Sequence, residues 1–524
     1  MRFILNDENI ETDLPNGVTV LDFVRYSKNL KGTKIGCREG DCGACTMLVG
    51  ELIEEKVRYR TMTSCLMPLA NAAGKHIVSI EGINPADGSL TLVQQAMVEE
   101  SGTQCGFCTV GFVMSLTGFC LDSVSSPRVS SPRVSSPHVS KGSDTTIEAA
   151  ISAIDGNICR CTGYKSIERA ACRVTGLLSE PPASAGGQFA EDEKALVPGY
   201  FGDIAARLKA ISNTTSGEAQ RTGRPLTQAV LTGGGTDLYV QRPDDMAESG
   251  TTPLFYDKTL RGIRDTGEHI EIGGSVTVTD LLESPAMQSV FPDLYKHLKL
   301  VSSTPIRNMA TLAGNFVNAS PIGDMTVWFL ALDAEIDLCT SPHVSKDGKR
   351  TLPLKDLYLG YKQLAKAPGE IITTIRFRKP TGDFRFNFEK VSKRTYLDIA
   401  TVNTALSLTV RSMPGQDWLP TALSEPPASA GGQELESRAG RAEVDYTIID
   451  AHVSAGGVAP IPLYLKETSE FLRGKAVSED TITAANEMMQ SEIAPISDVR
   501  GTDQYKPLLV RQLFRAHFVE MFDL

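Results

Sequence analysis

Over the first 80 residues, the apolar positions predict a small sheet. Residues 2–6 and 10–14 flank a polar turn and predict a β-hairpin, and residues 46–49 and 76–80 predict two further strands, the second rich in β-branched side chains. Val20, Leu21 and Val24 recur at helical spacing between these strands. This order predicts a short helix packed on a sheet.

After residue 91 the pattern becomes helical. Residues 110–121 are apolar on all sides, as expected of a buried helix, and residues 147–154 carry a second helical stripe. Further along, residues 228–232 predict a buried strand that runs into a glycine turn, residues 406–410 predict a strand, and residues 481–489 and 508–518 predict helices. We therefore expect an α+β multidomain protein.

A chain of 524 residues is long for a single core, because domains of about 100–200 residues are usual. We predict a sheet domain at 1–82 and a helical domain at 83–176 that contains an insertion at 123–143. A linker at 177–194 precedes a third domain at 195–378 and a C-terminal domain at 379–524, with a second insertion at 423–440.

Short peptides are repeated at and near these insertions. A five-residue Ser/Pro motif occurs three times within residues 124–140 and returns in part at 341–346, and one longer peptide occurs at both 178–188 and 423–433. Such scattered, polar repeats are unlike a solenoid, whose repeats are contiguous and carry an apolar pattern. They predict flexible or extended surface loops, with a phosphorylated or partner-binding tract as the alternative.

The net charge of −11 argues against nucleic acid as a ligand, since nucleic acid rewards clustered basic surface. No leader segment is visible, and no apolar run approaches the roughly 18–20 residues of a spanning helix, so we expect a cytoplasmic protein without membrane contact. In a reducing compartment the 11 cysteines are better explained as metal ligands than as disulfides.

The first cysteine set consists of Cys37, Cys42 and Cys45, completed by Cys65. Three thiols at x4 and x2 spacing with a distant fourth are typical of a plant-type [2Fe-2S] ferredoxin. Glycines at positions 36, 40 and 43 would let the backbone curl around the cluster and direct N–H groups at its sulfurs. The alternative is a structural zinc site. With the predicted strands and helix, this set is compatible with a β-grasp ferredoxin.

The second set consists of Cys105 and Cys108 followed by Cys159 and Cys161, each pair at the end of a predicted helix. Two such pairs can converge as four thiolates between antiparallel helices. The Cys-x-Cys spacing suits a cluster with two irons better than a zinc ribbon. A redox-active Cys-x2-Cys pair or a zinc site remains the alternative.

The peptides Gly36-Cys-Arg-Glu-Gly-Asp-Cys-Gly-Ala-Cys45, Gln104-Cys-Gly-Phe-Cys-Thr109 and Gly156-Asn-Ile-Cys-Arg-Cys-Thr-Gly-Tyr164 resemble the iron-sulfur region of molybdenum hydroxylases of the xanthine dehydrogenase family. One departure is Val110, where that family usually has proline. Valine can continue a helix, so we expect Cys108 to remain a ligand.

A flavin site is predicted from two further stretches. Three glycines after the strand at 228–232 let backbone N–H groups approach a phosphate, although such a turn alone is weak support. Residues 303–324 are rich in small and amide side chains, which can lie under a cofactor. Both stretches resemble the vanillyl-alcohol-oxidase type FAD domain of the same family, and residues 379–524 resemble its small α+β C-terminal flavoprotein domain.

The resemblance implies a set of FAD-binding residues. Those around the pyrophosphate would be Leu231, Thr232, Gly233, Gly234, Gly235, Thr236, Asp237 and Leu238. The phosphates and the ribitol or adenosine would contact Thr311, Leu312, Ala313, Gly314, Asn315 and Asp324, and Ile372 and Lys390 would complete the pocket. A solvated surface lysine is the alternative for Lys390.

The resemblance also implies the function. Two [2Fe-2S] clusters and one FAD would carry electrons from a molybdenum cofactor on a separate large subunit to NAD or to oxygen, with NAD favoured. A heterotetramer or a larger assembly is expected, and no side chain of this chain need act as a catalytic acid or base. The substrate would be xanthine, or an aldehyde or another N-heterocycle, and a zinc-binding scaffold is a further alternative. Cys120, Cys172 and Cys339 are expected to be ordinary buried residues.

Overall fold

The computed structural model describes residues 1–125, 144–179, 196–215, 230–248, 250–340, 349–412 and 446–524. Several predicted segments lie outside the described residues. They are nearly all of the insertion at 123–143, all of the insertion at 423–440, most of the linker at 177–194 and the repeat at 341–346. The interpretations of these segments therefore stay predictions.

The N-terminal region is a five-stranded sheet in the order β2-β1-β5-β3-β4, in which only β1 and β5 run parallel. Its strands are β1 (Arg2–Leu5), β2 (Glu8–Glu11), β3 (Thr46–Ile53), β4 (Lys56–Thr63) and β5 (His76–Val78). The helix α1 (Val20–Asp22) continues as a π-helical turn (Phe23–Ser27) and buries Phe23 and Val24 against the sheet. The predicted hairpin is present, but its second strand is Glu8–Glu11 and not 10–14. The helix and the two further strands are confirmed, whereas β4 was not predicted.

Four helices follow and pack around an apolar core. They are α2 (Leu92–Glu99), α3 (Thr109–Ser125), α4 (Asp144–Ala153) and α5 (Lys165–Ser179). Helix α3 buries Phe112, Val113, Met114 and Leu116 in succession, which confirms the predicted helix that is apolar on all sides. The same helix packs against β3 and β4, so the helical region and the first sheet share an interface.

The third region is built on an antiparallel sheet in the order β11-β10-β14-β9-β8. After α6 (Ile204–Thr215), its strands are β6 (Val230–Thr232), β7 (Thr251–Pro253), β8 (Ile263–Asp265), β9 (His269–Gly273), β10 (Glu335–Cys339), β11 (Arg350–Pro353), β12 (Tyr358–Gly360), β13 (Gln363–Leu364) and β14 (Ile371–Arg378). The helices are α7 (Leu238–Gln241), α8 (Pro243–Glu248), α9 (Val278–Glu283), α10 (Pro285–Val290), α11 (Leu294–Leu298), α12 (Thr304–Arg307), α13 (Leu312–Asn318) and α14 (Asp324–Leu330). Strands β6 and β7 pair with each other in parallel beside the first sheet.

The C-terminal region is an antiparallel sheet of four strands covered by three helices. The strands are β15 (Asp383–Val391), β16 (Val402–Ser412), β17 (Tyr446–Gly456) and β18 (Leu463–Tyr464), and the helices are α15 (Lys466–Leu472), α16 (Glu479–Glu492) and α17 (Tyr505–Phe522). The α+β multidomain class is thus confirmed. Within the described ranges, every helix is too short or too polar to cross a bilayer.

Candidate functional site

The loop between α1 and β3 turns backbone N–H groups towards cysteine sulfurs. The N–H groups of Glu39 and Asp41 each donate to Cys37 Sγ at 3.3 Å, and the N–H of Cys37 donates to Cys42 Sγ at 3.4 Å. Such bonds stabilise thiolates, which are the form that binds iron.

The glycines of this loop are required by its geometry. Gly40 and Gly43 have φ values of 75° and 68°, which only glycine adopts freely. A Cβ added to Gly36 would lie 2.5 Å from Cys42 Sγ, so a side chain there would displace a ligand. The loop conformation that these three glycines were predicted to allow is present, and their role around a cluster stays a prediction.

The four sulfurs of the first set form two contacting pairs, Cys37 with Cys42 and Cys45 with Cys65. The hydrogen bond from Cys42 lowers the pKa of Cys37 to about 5, and the hydrogen bond from Cys65 lowers the pKa of Cys45. The pKa of Cys65 is raised by its hydrogen bond to Cys45 and by burial, with smaller contributions from the charges of Cys45 and Cys37. The first set of predicted ligands is therefore brought together.

The second set is paired in the same way. The Sγ atoms of Cys161 and Cys105 are 3.6 Å apart, and Cys159 hydrogen bonds to Cys108. Burial raises the pKa of Cys108 to about 12; for Cys159 burial also raises the pKa, but hydrogen bonds from Thr162 outweigh it and the net direction is downward. Cys105 and Cys161 are exposed, so this set lies at the protein surface.

The donor set at each position fits a [2Fe-2S] cluster: four cysteines, sulfurs in interacting pairs, and N–H groups directed at the sulfurs of Cys37, Cys42 and Cys159. Across the described ranges, no three His, Cys, Asp or Glu side chains surround one position as ligands of a single ion would. The cysteine ligand assignments remain predictions.

The two cysteine loops are in direct contact. The N–H of Ile158, the residue before Cys159, donates to the carbonyl oxygen of Cys42 at 3.0 Å. The buried Asn157 side chain donates to the carbonyl oxygen of Gly43 at 3.1 Å and accepts from Ser115 Oγ at 2.8 Å. A single hydrogen bond thus joins Cys42 of the first set to Ile158, the neighbour of Cys159 in the second set.

The glycine turn follows β6 and leads into α7. In the described part of the chain, the backbone N–H groups from Gly233 to Asp237 donate no hydrogen bond. Gly234 approaches the carbonyl oxygen of Met309 so closely that a Cβ would lie 1.9 Å from it. Such a run of N–H groups, on a turn that begins with three glycines, fits a pyrophosphate. Asp237 beside the turn has its pKa raised by burial, against the lowering effect of Lys362.

The second predicted stretch lies beside this turn. Thr311 Oγ1 accepts from the N–H of Gly314 at 3.2 Å and caps α13, and the same oxygen would lie 2.7 Å from a Cβ on Gly233. Ala313 and the carbonyl oxygen of Ile372 both flank Gly274. The structure thus brings together Gly233, Thr311, Ala313 and Ile372, which are far apart in sequence.

Lys390 is buried, so its alternative interpretation as a solvated surface lysine is wrong. Its side chain is 2% exposed, and its Nζ donates to Asp324 Oδ2 at 2.7 Å and to the carbonyl oxygen of Leu300 at 2.9 Å. The other carboxylate oxygen of Asp324 accepts from Asn403 Nδ2 at 2.6 Å. Asn403 was not predicted, because nothing in its local sequence distinguishes a strand asparagine that faces Asp324.

The three cysteines outside the two sets have different surroundings. Cys120 and Cys339 are buried, as expected. The prediction for Cys172 is wrong, because it is partly exposed on α5 between the solvent-facing Arg169 and Arg173. None of the three contacts either cysteine set through a bond found among the described residues.

This combination of sites defines a class of protein, the iron-sulfur flavoproteins that transfer electrons. Comparisons with known proteins agree with this class. Four domain families match successive parts of the chain and together cover most of it. They are the 2Fe-2S iron-sulfur cluster binding domain at 3–70, the [2Fe-2S] binding domain at 79–172, the FAD binding domain in molybdopterin dehydrogenase at 207–380 and the CO dehydrogenase flavoprotein C-terminal domain at 437–521.

Similar proteins match almost the whole chain. Xanthine dehydrogenase 1 of Arabidopsis thaliana is 27% identical over 93% of this chain and 37% of its own length, and a nicotinate hydroxylase of Emericella nidulans is 26% identical over 98% and 40%. A solved carbon monoxide dehydrogenase from Hydrogenophaga pseudoflava matches 55% of this chain and 88% of its own with 23% identity and a TM-score of 0.45.

The four domain matches and these relatives together support the assignment of this chain as the iron-sulfur and FAD-binding part of the xanthine dehydrogenase family. The chain spans between a third and two fifths of the length of the xanthine dehydrogenases that it matches.

Proposed function

We propose that this chain carries electrons from a molybdopterin centre on a partner subunit, through [2Fe-2S] clusters at the two cysteine sets, to FAD and on to NAD. The reaction served would be the oxidation of hypoxanthine and xanthine to urate, in a cytoplasmic assembly with two copies of each chain. The support for xanthine comes from the names of similar proteins. Iron-sulfur clusters supply one-electron transfer and FAD supplies exchange between one- and two-electron carriers.

Two contacts carry the proposed order of the sites, because they link the three sites one after another. The hydrogen bond from Ile158 to Cys42 joins the second cysteine set to the first. Leu66 follows Cys65, and its carbonyl oxygen would lie 2.5 Å from a Cβ on Gly235 in the proposed pyrophosphate turn. These two contacts support an order in which the first cysteine set lies between the second set and the flavin turn.

The outer end of this row is exposed. Cys105 and Cys161 reach the surface, and the Phe107 side chain between the two ligands of the first pair is 46% exposed. An exposed aromatic residue beside exposed thiols suits a protein interface. We infer that the molybdenum-bearing subunit docks on this end.

A different substrate is the second candidate, because a relative of similar identity is a nicotinate hydroxylase. An aldehyde or another N-heterocycle would be oxidised on the partner subunit, and the residues of this chain would do the same work. A non-redox zinc scaffold has no support from the four domain matches.

The purified chain alone should oxidise NADH with an artificial dye and should not oxidise xanthine until the partner subunit is added. Cys161→Ser should then abolish xanthine-dependent NAD reduction and spare most NADH-to-dye activity, because only the outer end of the row is altered. Cys339→Ser serves as a matched control. Xanthine oxidation by the isolated chain, or equal loss of both activities in the Cys161 variant, would contradict the proposal.

A further inference from the structure

We propose that Asn71, in the ferredoxin-like sheet region, positions the turn that binds the FAD pyrophosphate, so that FAD binding depends on a side chain from outside the flavin region. This inference rests on the proposed flavin site at residues 231–238. Asn71 lies in a short 3₁₀ turn (Leu69–Ala72) that follows Cys65. Its Nδ2 donates to the carbonyl oxygen of Gly233 at 3.2 Å.

The orientation of the Asn71 amide follows from its partner. A carbonyl oxygen only accepts hydrogen bonds, so the NH2 group must face Gly233 and Oδ1 must face away. The residue is 2% exposed, and Oδ1 has no hydrogen-bond partner among the described residues. A buried acceptor without a partner is destabilising, so packing alone would favour an apolar side chain at this position.

Two further contacts hold the same turn on the same region. Gly235 has a φ of 88°, and the carbonyl oxygen of Leu66 lies 2.5 Å from where its Cβ would be. Tyr239, in the helix after the turn, donates its buried hydroxyl to the carbonyl oxygen of Gly17 at 2.8 Å. The turn is thus held on the ferredoxin-like region at its beginning, its middle and just after its end.

The bond to Gly233 matters for the ligand because it fixes one peptide plane at the start of the turn. The carbonyl of Gly233 and the N–H of Gly234 belong to the same planar peptide group and point in opposite directions. Holding the carbonyl oxygen towards Asn71 therefore directs the free N–H of Gly234 to the opposite side, where an anion can accept its hydrogen bond. Without Asn71 this peptide could rotate and the competent turn would be less populated.

The test is the substitution Asn71→Leu in the full-length chain with both cysteine sets loaded. Leucine has a similar size, removes the donor to Gly233 and also removes the unpartnered oxygen. We expect the Kd for FAD, measured by flavin fluorescence, to rise about three- to tenfold, as the loss of one hydrogen bond implies. The thermal midpoint of the FAD-free protein should stay the same or rise.

Arg58→Gln is the matched control. Arg58 joins the same two regions through Glu283, at 2.6 Å, but does not contact the turn. It should leave the Kd for FAD within twofold of the unaltered chain. An Asn71→Leu protein that binds FAD as tightly as the unaltered chain, or one that loses FAD only in proportion to a fall in the FAD-free thermal midpoint, would overturn the role of Asn71. A failure of the unaltered chain to bind FAD would instead overturn the proposed function.

Discussion

Arg307 and Asp155 form a buried ion pair between the helical region and the flavin region, with Nη2 and Oδ2 2.8 Å apart and side chains 5% and 3% exposed. Asp155 lies just before the second pair of cysteines, and Arg307 lies just before Thr311 of the proposed flavin site. The same carboxylate accepts from the N–H of Thr304 at 2.8 Å. One ion pair therefore sets the placement of a cysteine loop relative to the flavin region.

Arg307→Met should destabilise the protein by about 3–5 kcal/mol, because it leaves the Asp155 carboxylate buried without a counter-charge. Chemical unfolding followed by circular dichroism would measure the loss. Adding Asp155→Leu to this variant should restore much of the stability, since the unpaired charge is then removed. If the single and double variants unfold alike, the pair is not the source of the effect.

Cys42→Ser should reduce the iron content from four atoms to about two per chain, because one [2Fe-2S] cluster loses a ligand. Iron and acid-labile sulfide analysis would measure this change, together with the loss of one of two electron paramagnetic resonance signals. Cys120→Ala, at a buried cysteine outside both sets, should keep all four irons. Stoichiometric zinc without labile sulfide in the unaltered chain would contradict the cluster assignment.

Asn157→Ala should weaken the contact between the two cysteine loops, since the side chain bridges Gly43 and Ser115. We expect a smaller magnetic interaction between the two reduced clusters and slower electron transfer between them, with the iron content retained. Low-temperature electron paramagnetic resonance and stopped-flow reduction would measure both. The control Asn84→Ala removes a side chain whose Oδ1 accepts from Gln94 Nε2, away from both cysteine loops, and should change neither.

Lys390→Met should lower FAD occupancy, because the Asp324 carboxylate would be left buried with only Asn403 as a partner. We expect the Kd for FAD to rise tenfold or more, which corresponds to a loss of about 1.4 kcal/mol or more of binding free energy. Lys296→Met breaks a half-exposed pair with Glu520 instead and should retain FAD. Equal FAD binding by the two variants would remove Lys390 from the site.

The stability of the protein should fall in mild acid, because two buried histidines meet where the flavin region packs on the C-terminal region. Asn387 joins two buried histidines, with Oδ1 3.0 Å from His297 Nε2 and Nδ2 3.0 Å from His517 Nδ1. Burial lowers the pKa of His297 to about 4 and that of His517 to about 3, whereas both titrate near 6.5 when unfolded. Only the unfolded chain therefore takes up protons as the pH falls from 6.5 towards 4.

Each histidine should then lower the free energy of unfolding by about 1.4 kcal/mol for each pH unit of decrease in that range. Above pH 6.5 neither histidine lowers it. Denaturant unfolding at pH 7, 6 and 5 would measure the slope. His517→Gln should flatten it, because one titrating group is removed, and His269→Gln, at a partly exposed position, should not. A slope unchanged in the His517 variant would assign the pH dependence to other groups.

Local spacing was sufficient to predict the cysteine sets, the apolar helix α3 and the glycine turn, because each depends on residues close together in the chain. The cysteine peptides also carried enough family resemblance to predict the four regions and their class. Strand β4 was not predicted, because Arg58 and Arg60 place charged side chains at alternate positions and the segment therefore resembles a solvated surface segment. They instead pair with Glu283 and Asp280 of the flavin region.

Residue type and spacing predict which residues bind clusters and FAD, since both are read from positions close together in the chain. The fold, and not the local sequence, shows that Lys390 pairs with Asp324, that Asp155 pairs with Arg307 and that Asn71 contacts Gly233. The partners in these pairs are separated by 66, 152 and 162 positions. Helical and strand periodicity reports which face of an element is buried but not which distant element covers it, because that choice depends on how whole regions pack together.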